Sequence, residues 1–266
     1  MAPPRRVQLS CPQPDWLIEI TDDDSRTLVH VDNEVSYHSR CGAASECDHV
    51  YLINGGCSIE TGTNTFSGWP STILEIGFGT GLSMLRTLDR MVRYERPLKF
   101  ISVERRPLMC ETLRLLELSR GLHQPELAEQ FLNWYAEQIE PTFVDRQRDS
   151  GSLFSSHWKL SAMHEVELVV GDARDFVAHA NAIADTVYLD AFDPKTNPEL
   201  WEIPFLRLLV QRLRPGGRLV TYCVATEIRH RMEAVGLDVL RVPGPKGGKR
   251  EVMIATRPSD CDHARG

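Results

Sequence analysis

A chain of 266 residues, 42% hydrophobic and 25% charged, carries enough apolar material for one good core and a small appended subdomain. Its net charge of −7 argues against a broad surface that coats nucleic acid. No apolar run approaches the ~20 residues of a membrane span, and MAPPRRVQLSCPQP lacks the apolar centre of a signal peptide, so a cytoplasmic location without a membrane partner is expected.

Residues 1–14, rich in Pro and without apolar periodicity, read as disordered. From 15 to 68, the runs WLIEI, TLVHV and HVYLI between polar turns predict a small strand-rich N-terminal subdomain. From 69 to 258, strand candidates at 72–76, 98–103, 166–170, 185–189 and 217–223 alternate with helical segments. That alternation predicts an α/β fold with a Rossmann-like doubly wound parallel sheet. The interval 107–165 is longer than one crossover needs; PLMCETLRLLEL and QPELAEQFLNWYAEQI read as helices and DRQRDSGS as a loop, so a helical insertion is expected there. Trp134 and Tyr135 on the second helix could stack on a base, but their spacing favours core. Segments 237–242 and 251–256 both suit strands, and VPGPKGGKR between them is too short for a parallel crossover. A C-terminal antiparallel hairpin follows, then a tail at 259–266.

Seven cysteines, an odd number with no C-x-x-C pair, indicate no disulfide framework. Cys41, Cys47 and Cys57 lie near His38 and His49 but lack the paired spacing of structural zinc ligands, and no metal is expected.

The stretch LEIGFGTGL, residues 74–82, joins a strand to a helix, yet Leu82 stands where a dinucleotide fingerprint needs its last glycine. Glu75, Gly77, Gly79 and Gly81 instead form acid-x-Gly-x-Gly-x-Gly. This resembles the first motif of S-adenosylmethionine (SAM) methyltransferases, in which bare backbone admits the methionine portion and the ribose. A tight turn whose glycines serve only packing is the alternative. Ligands of open α/β sheets sit beyond the carboxyl ends of the strands, and here those ends are acidic. Glu104 can accept both ribose hydroxyls, Asp172 in VVGDARDF is placed to reach the adenine amino group, and Asp190 ends the fourth strand in YLDAFDP. A single strand-end acid is often a helix cap; Glu75 and three matching ends together point to cofactor binding.

Methyl transfer to an amine needs an aligned nucleophile with a free lone pair. Asp190 can orient the amine and take its proton, while Phe192 and Pro194 wall the slot and can stack on a planar base. Positive charge collects at Arg241, Lys246, Lys249, Arg250 and Arg257 against the single acid Glu251, which suits either a substrate contact or a solvated loop.

Taken together, YHSRCGAASECDHVYLING, LEIGFGTGL, ISVERRPL, GDARDF, LDAFDPKTNPELW, LRPGGRLVTYC and PGPKGGKREVMIA resemble the tRNA 5-methylaminomethyl-2-thiouridine methyltransferases. The resemblance covers about 37–256. It implies a SAM-binding Rossmann domain that methylates the primary amine of 5-aminomethyl-2-thiouridine at the tRNA wobble position. It carries Gly77, Gly79 and Gly81 to the cofactor side, and Asp190 with Phe192 to the acceptor side. Lys246, Lys249 and Arg250 would hold phosphates of the anticodon stem-loop. Bifunctional relatives carry a flavin-dependent domain after this one; the chain stops before it, so a stand-alone methyltransferase is expected. Asp193, Lys195 and Thr196 depart from the family pattern, which has a small residue at 193 and a base at 196, and Asp193 reads equally as an acceptor-side carboxylate or a turn residue. Two rivals remain open: an aminopropyltransferase or small-molecule amine methyltransferase on this fold, favoured by an acidic pocket without a basic rim, and a non-catalytic SAM- or RNA-binding module.

Overall fold

A computed structural model describes residues 6–33, 35–58, 68–142 and 152–259. Among these residues no helix is long and apolar enough to cross a membrane.

The N-terminal part is a three-stranded antiparallel sheet of β1 (Gln8–Ser10), β2 (Trp16–Ile20) and β3 (Arg26–His30), in that order. β1 corrects the expectation of disorder over 1–14: Gln8 to Ser10 pair with Glu19 to Leu17. All three residues are exposed, so the strand is held by backbone pairing and leaves no apolar pattern to read. The third expected strand, HVYLI, is helical instead. Short α1 (Ala43–Glu46) runs into a π-helical turn, Cys47–Ile53, which buries Cys47, Val50, Tyr51 and Leu52. Those positions recur at helical spacing once the turn begins at Ala43, and β-branched content alone misled the reading.

The large sheet contains β4 (Thr72–Ile76), β5 (Leu98–Glu104), β6 (Phe154–Lys159), β7 (His164–Val170), β8 (Ala184–Leu189), β9 (Leu213–Thr221), β10 (Asp238–Pro243) and β11 (Glu251–Thr256). Its order is β10-β11-β9-β8-β4-β5-β7-β6. The five central strands, β9-β8-β4-β5-β7, are parallel, and both flanks are antiparallel, including the expected C-terminal hairpin. Every residue of β8 is buried, as a central strand covered on both faces requires.

Helices α2 (Leu82–Arg93), α3 (Cys110–Leu115) and α4 (Glu126–Gln138) accompany one core cluster, with Phe100, Phe131 and Tyr135 at its centre. On the other face α5 (Ala173–His179), α6 (Ile203–Arg212) and α7 (Thr226–Ala234) close a second core around Trp201, Leu206 and Met232. Tyr135 is buried and donates to the Leu108 carbonyl at 2.7 Å, and Trp134 stacks on Trp158 at 6.2 Å, so both residues are packing groups.

The interval 107–165 is not purely helical. β6 pairs antiparallel with β7 and extends the sheet by one edge. FSSHWK alternates inward and outward residue by residue, but Ser156 sits between Phe154 and Trp158 on the inward side and breaks the apolar pattern a sequence shows. The loop expected at DRQRDSGS lies outside the described residues apart from Ser152, as do 1–5 of the N-terminal segment, 59–67 of the N-terminal subdomain and 260–266 of the tail.

Candidate active site

The parallel strands deliver their carboxyl ends to one cleft of about 990 Å³, and the N-terminal sheet supplies its opposite wall. The chain reverses direction of winding between β4 and β8, the position at which open α/β sheets take ligands.

The glycine turn is built for close approach. Gly77 has φ +95°, and a Cβ there would lie 2.6 Å from the Asp190 carbonyl oxygen; Gly79 has φ +53° and lies against Tyr37. Both line the cleft, together with Glu104 and Asp172. Glu104 accepts the Gly79 N–H at 3.0 Å and the Arg106 N–H at 2.8 Å, which ties the turn to the end of β5 and leaves each carboxylate oxygen room for a second donor. Asp172 caps α5 by accepting the Arg174 N–H at 2.8 Å, and also holds the Arg174 guanidinium at 2.7 Å. That hydrogen-bonded guanidinium lowers its pKa, against an opposing burial effect.

Two members of the glycine motif do not face the cleft. Gly81 caps α2 in the left-handed conformation and packs under Phe78, whose Cζ a Cβ would meet at 2.6 Å. Glu75 is fully buried within β4, bonded to the Ser102 hydroxyl at 2.6 Å, with Oε1 left unpartnered. Burial pushes its carboxyl well above the ordinary range, with Ser102 opposing. A raised folded pKa gives stability that is complete below the unfolded value and is lost as pH rises through the folded one. Glu75→Gln, a mimic of the protonated acid, should therefore flatten the decline of melting temperature with rising pH. Parallel declines in both proteins would show that Glu75 does not carry this dependence.

At the end of β8, Tyr51 donates its hydroxyl to Asp190 Oδ1. Burial raises the Asp190 pKa well above the usual carboxylate value; the Tyr51 bond and Lys249 oppose, while Glu46 adds to the rise. Glu46 itself lines the cleft, accepts the Ser39 N–H at 2.7 Å and is pushed up by burial. Lys249 Nζ lies 3.9 Å from the Tyr222 ring centroid, and desolvation lowers its pKa against the pull of Glu46, Cys223, Asp190 and Asp193. Two carboxylates, one ammonium and Tyr222 thus border this part of the cleft, with Tyr51 buried behind Asp190. Buried His38, bonded to Thr80 at 2.7 Å, is brought down to about 4 by desolvation and stays neutral at neutral pH. Among the described residues no three His, Cys, Asp or Glu side chains converge as a metal site.

Phe192 meets Tyr37 edge-on at 5.0 Å and lies nearly parallel to Trp16 at 6.3 Å, so the N-terminal sheet and the loop after β8 form one aromatic wall. The loop is fixed from below: Trp201 donates to the Phe192 carbonyl at 2.8 Å and Tyr222 to the Ala191 carbonyl at 2.9 Å. Asp193 accepts the N–H groups of Lys195 and Thr196, an Asx-type turn that occupies Oδ1 while the residue still borders the cleft. Pro194 is not among the residues lining the cleft. Neither are Lys246 and Arg250; all three cations of the β10–β11 hairpin are exposed, but Lys249 lies over the Tyr222 ring and borders the cleft. A basic rim exists elsewhere, at Arg105 and Arg106 beyond β5.

Trp16, Tyr37, Glu46, Tyr51 and Tyr222 went unrecognised as site residues in the sequence. The Gly-Ala-x-x-Glu block held the one available signal, since Glu46 is its acid and Tyr51 lies just beyond.

Known proteins resemble this chain in sequence and in fold. Residues 152–258 match the model of a family described as S-adenosyl-L-methionine-dependent methyltransferase. The tRNA 5-methylaminomethyl-2-thiouridine biosynthesis bifunctional protein MnmC of Ralstonia nicotianae is 31% identical over 238 residues, 86% of this chain and 33% of that protein. The protein of the same name from Delftia acidovorans is 32% identical over 213 residues, 78% of this chain and 30% of that protein. The chain therefore spans about a third of the length of these curated relatives. The crystal structure of MNMC2 from Aquifex aeolicus superposes with a TM-score of 0.66 at 23% identity, covering 99% of this chain and 76% of that one, and shows the same fold.

Proposed function

We propose, on the premise that the chain belongs to the family of S-adenosyl-L-methionine-dependent methyltransferases related to the methyltransferase part of MnmC, that it methylates the primary amine of 5-aminomethyl-2-thiouridine at the tRNA wobble position. One observation carries the reading: Asp190, held by Tyr51, opens into the same cleft as Gly77, Gly79 and Glu104.

The residues present fit the cofactor. Bare backbone at Gly77 and Gly79 admits a group where any side chain would intrude, and Glu104 keeps acceptor capacity for a ribose. When bound, SAM supplies an electrophilic methyl on a sulfonium. Asp190 orients the incoming amine by accepting one N–H, which leaves the nitrogen lone pair free to attack, and takes the proton released as the new C–N bond forms. Its raised pKa makes it a better proton acceptor than a solvated carboxylate. Phe192, Trp16 and Tyr37 offer ring faces and edges to a planar base. A wobble base lies in a single-stranded loop and can be splayed into such a slot without opening a duplex. Lys249, Arg105 and Arg106 line the cleft, and this basic component favours an RNA acceptor over a polyamine. Lys246 and Arg250 on the exposed hairpin add charge for phosphates outside it.

Single-turnover incubation with labelled SAM and tRNA bearing the aminomethyl nucleoside, followed by nucleoside mass spectrometry, tests the reading. One labelled methyl on that nucleoside is expected. Label on a polyamine, or none on RNA, would overturn it.

A further inference from the structure

A second cavity, about 410 Å³, lies along α2, away from the cleft, and Arg86, Arg90, Arg93 and His123 line it together with Asp48 and Asp89. We propose that this cavity binds backbone phosphates of RNA and is a second contact for the tRNA substrate. The choice of RNA rests on the function proposed above.

The three arginines stand four and three residues apart, so they share one face of α2. Their neutralisation is incomplete. Asp48 is committed to Arg86, accepting Nε at 2.6 Å and Nη2 at 2.5 Å. Asp89 accepts the backbone N–H groups of His123 at 2.9 Å and Gln124 at 2.8 Å and forms no ion pair with the three guanidinium groups. Arg90 and Arg93 therefore have no carboxylate partner among the described residues. Arg86 Nη1 and Arg90 Nε also find no acceptor among the described residues. Cations in the last turn of a helix favour its dipole, which accounts for Arg90 and Arg93 on α2 but not for Arg86 or for the concavity. Guanidinium groups converging on a cavity match phosphate oxygens, which they can engage in pairs.

Position supports the assignment. Asp48 belongs to the same π-helical turn as Tyr51, which holds Asp190, so one short element separates the two cavities. α2 begins at Gly81, and a rise of ~1.5 Å per residue places Arg86 to Arg93 about 8–18 Å along its axis from the glycine turn. A loop whose base enters the cleft carries further phosphates within reach of such a span. In a chain of net charge −7 this cluster is a local exception.

The test compares tRNA affinity across salt concentrations for the wild type, Arg90→Gln/Arg93→Gln and Arg90→Lys/Arg93→Lys, with calorimetric SAM binding as the check on folding. In the Gln pair the slope of log affinity against log salt should fall by about 1.4, two contacts at ~0.7 each for single strands. KM for tRNA should rise, with kcat at saturating tRNA and SAM affinity unchanged, and the Lys pair should keep the wild-type slope. An unchanged affinity and slope in the Gln pair would overturn the proposal, as would an equal loss in the Lys pair. Inorganic phosphate that binds the wild type but not the Gln pair, with tRNA affinity equal in both, would assign the cavity to a free anion and overturn the RNA contact. Wild-type protein that binds tRNA with the full slope yet transfers no methyl would refute the function and leave this site standing.

Discussion

Asp190→Asn will lower methyl transfer by roughly 10²–10⁴-fold, the range of a lost general acid or base, while SAM still binds. Asparagine keeps the shape and can still accept the Tyr51 hydroxyl, so the floor of the cleft should not collapse. What disappears is the charge and the proton acceptor. A base works in its deprotonated form, and burial has raised the Asp190 pKa, so the wild-type rate should fall with decreasing pH well above the ordinary aspartate range. The mutant should lack that limb and recover partly at high pH, where more of the amine is already unprotonated. Single-turnover rates across pH measure both effects. A mutant with the wild-type rate at neutral pH would reduce Asp190 to a structural group, and one low at every pH would make it an orienting group only.

Gly77→Ala will cost both stability and cofactor. Its φ of +95° disfavours any side chain, and the new Cβ would meet the Asp190 carbonyl oxygen at 2.6 Å and the Ala191 nitrogen at 3.1 Å. Both contacts are backbone held by the β4–β8 pairing, where the Asp190 N–H bonds the Ile76 carbonyl at 2.9 Å. Backbone strain of about 1–3 kcal/mol adds to overpacking of similar size. At ~2–4 °C per kcal/mol, the melting temperature should drop by several degrees, with SAM affinity down roughly tenfold or more. Gly216→Ala is the control: its φ is +74° but nothing lies within 4 Å of the added carbon, so it should show strain without loss of SAM binding. Equal SAM affinity in Gly77→Ala and wild type would remove the turn from the cofactor site.

The central sheet was legible because its strands are buried on both faces and leave short apolar runs such as TVYL in β8, and the closing hairpin because the eight residues 243–250 cannot make a parallel crossover. β1 and β6 were not: β1 is exposed throughout, and β6 places Ser156 between Phe154 and Trp158 on its inward side. The helix at 43–53 was lost to a β-rich pentapeptide whose burial pattern depends on a partner, α2, thirty residues away. The site divides the same way. Gly77, Glu104, Asp172 and Asp190 are read from strand ends, which fix their position whatever the rest of the chain does. Glu75 shares their motif but is buried within the sheet, where only tertiary burial raises its carboxyl above the ordinary range. Trp16 and Tyr37 reach the cleft, and Tyr51 reaches Asp190 behind it, by packing across long sequence separations, 139 residues in the case of Tyr51 and Asp190. No local pattern encodes that meeting.

The central claim, that one cleft brings the methyl donor to Asp190, is tested most directly by a crystal structure with S-adenosylhomocysteine. The account predicts the ligand in the cleft, its ribose on Glu104, its methionine portion over Gly77 and Gly79, and its sulfur facing Asp190 and Phe192. A ligand bound elsewhere, or one whose sulfur faces away from Asp190, would contradict it.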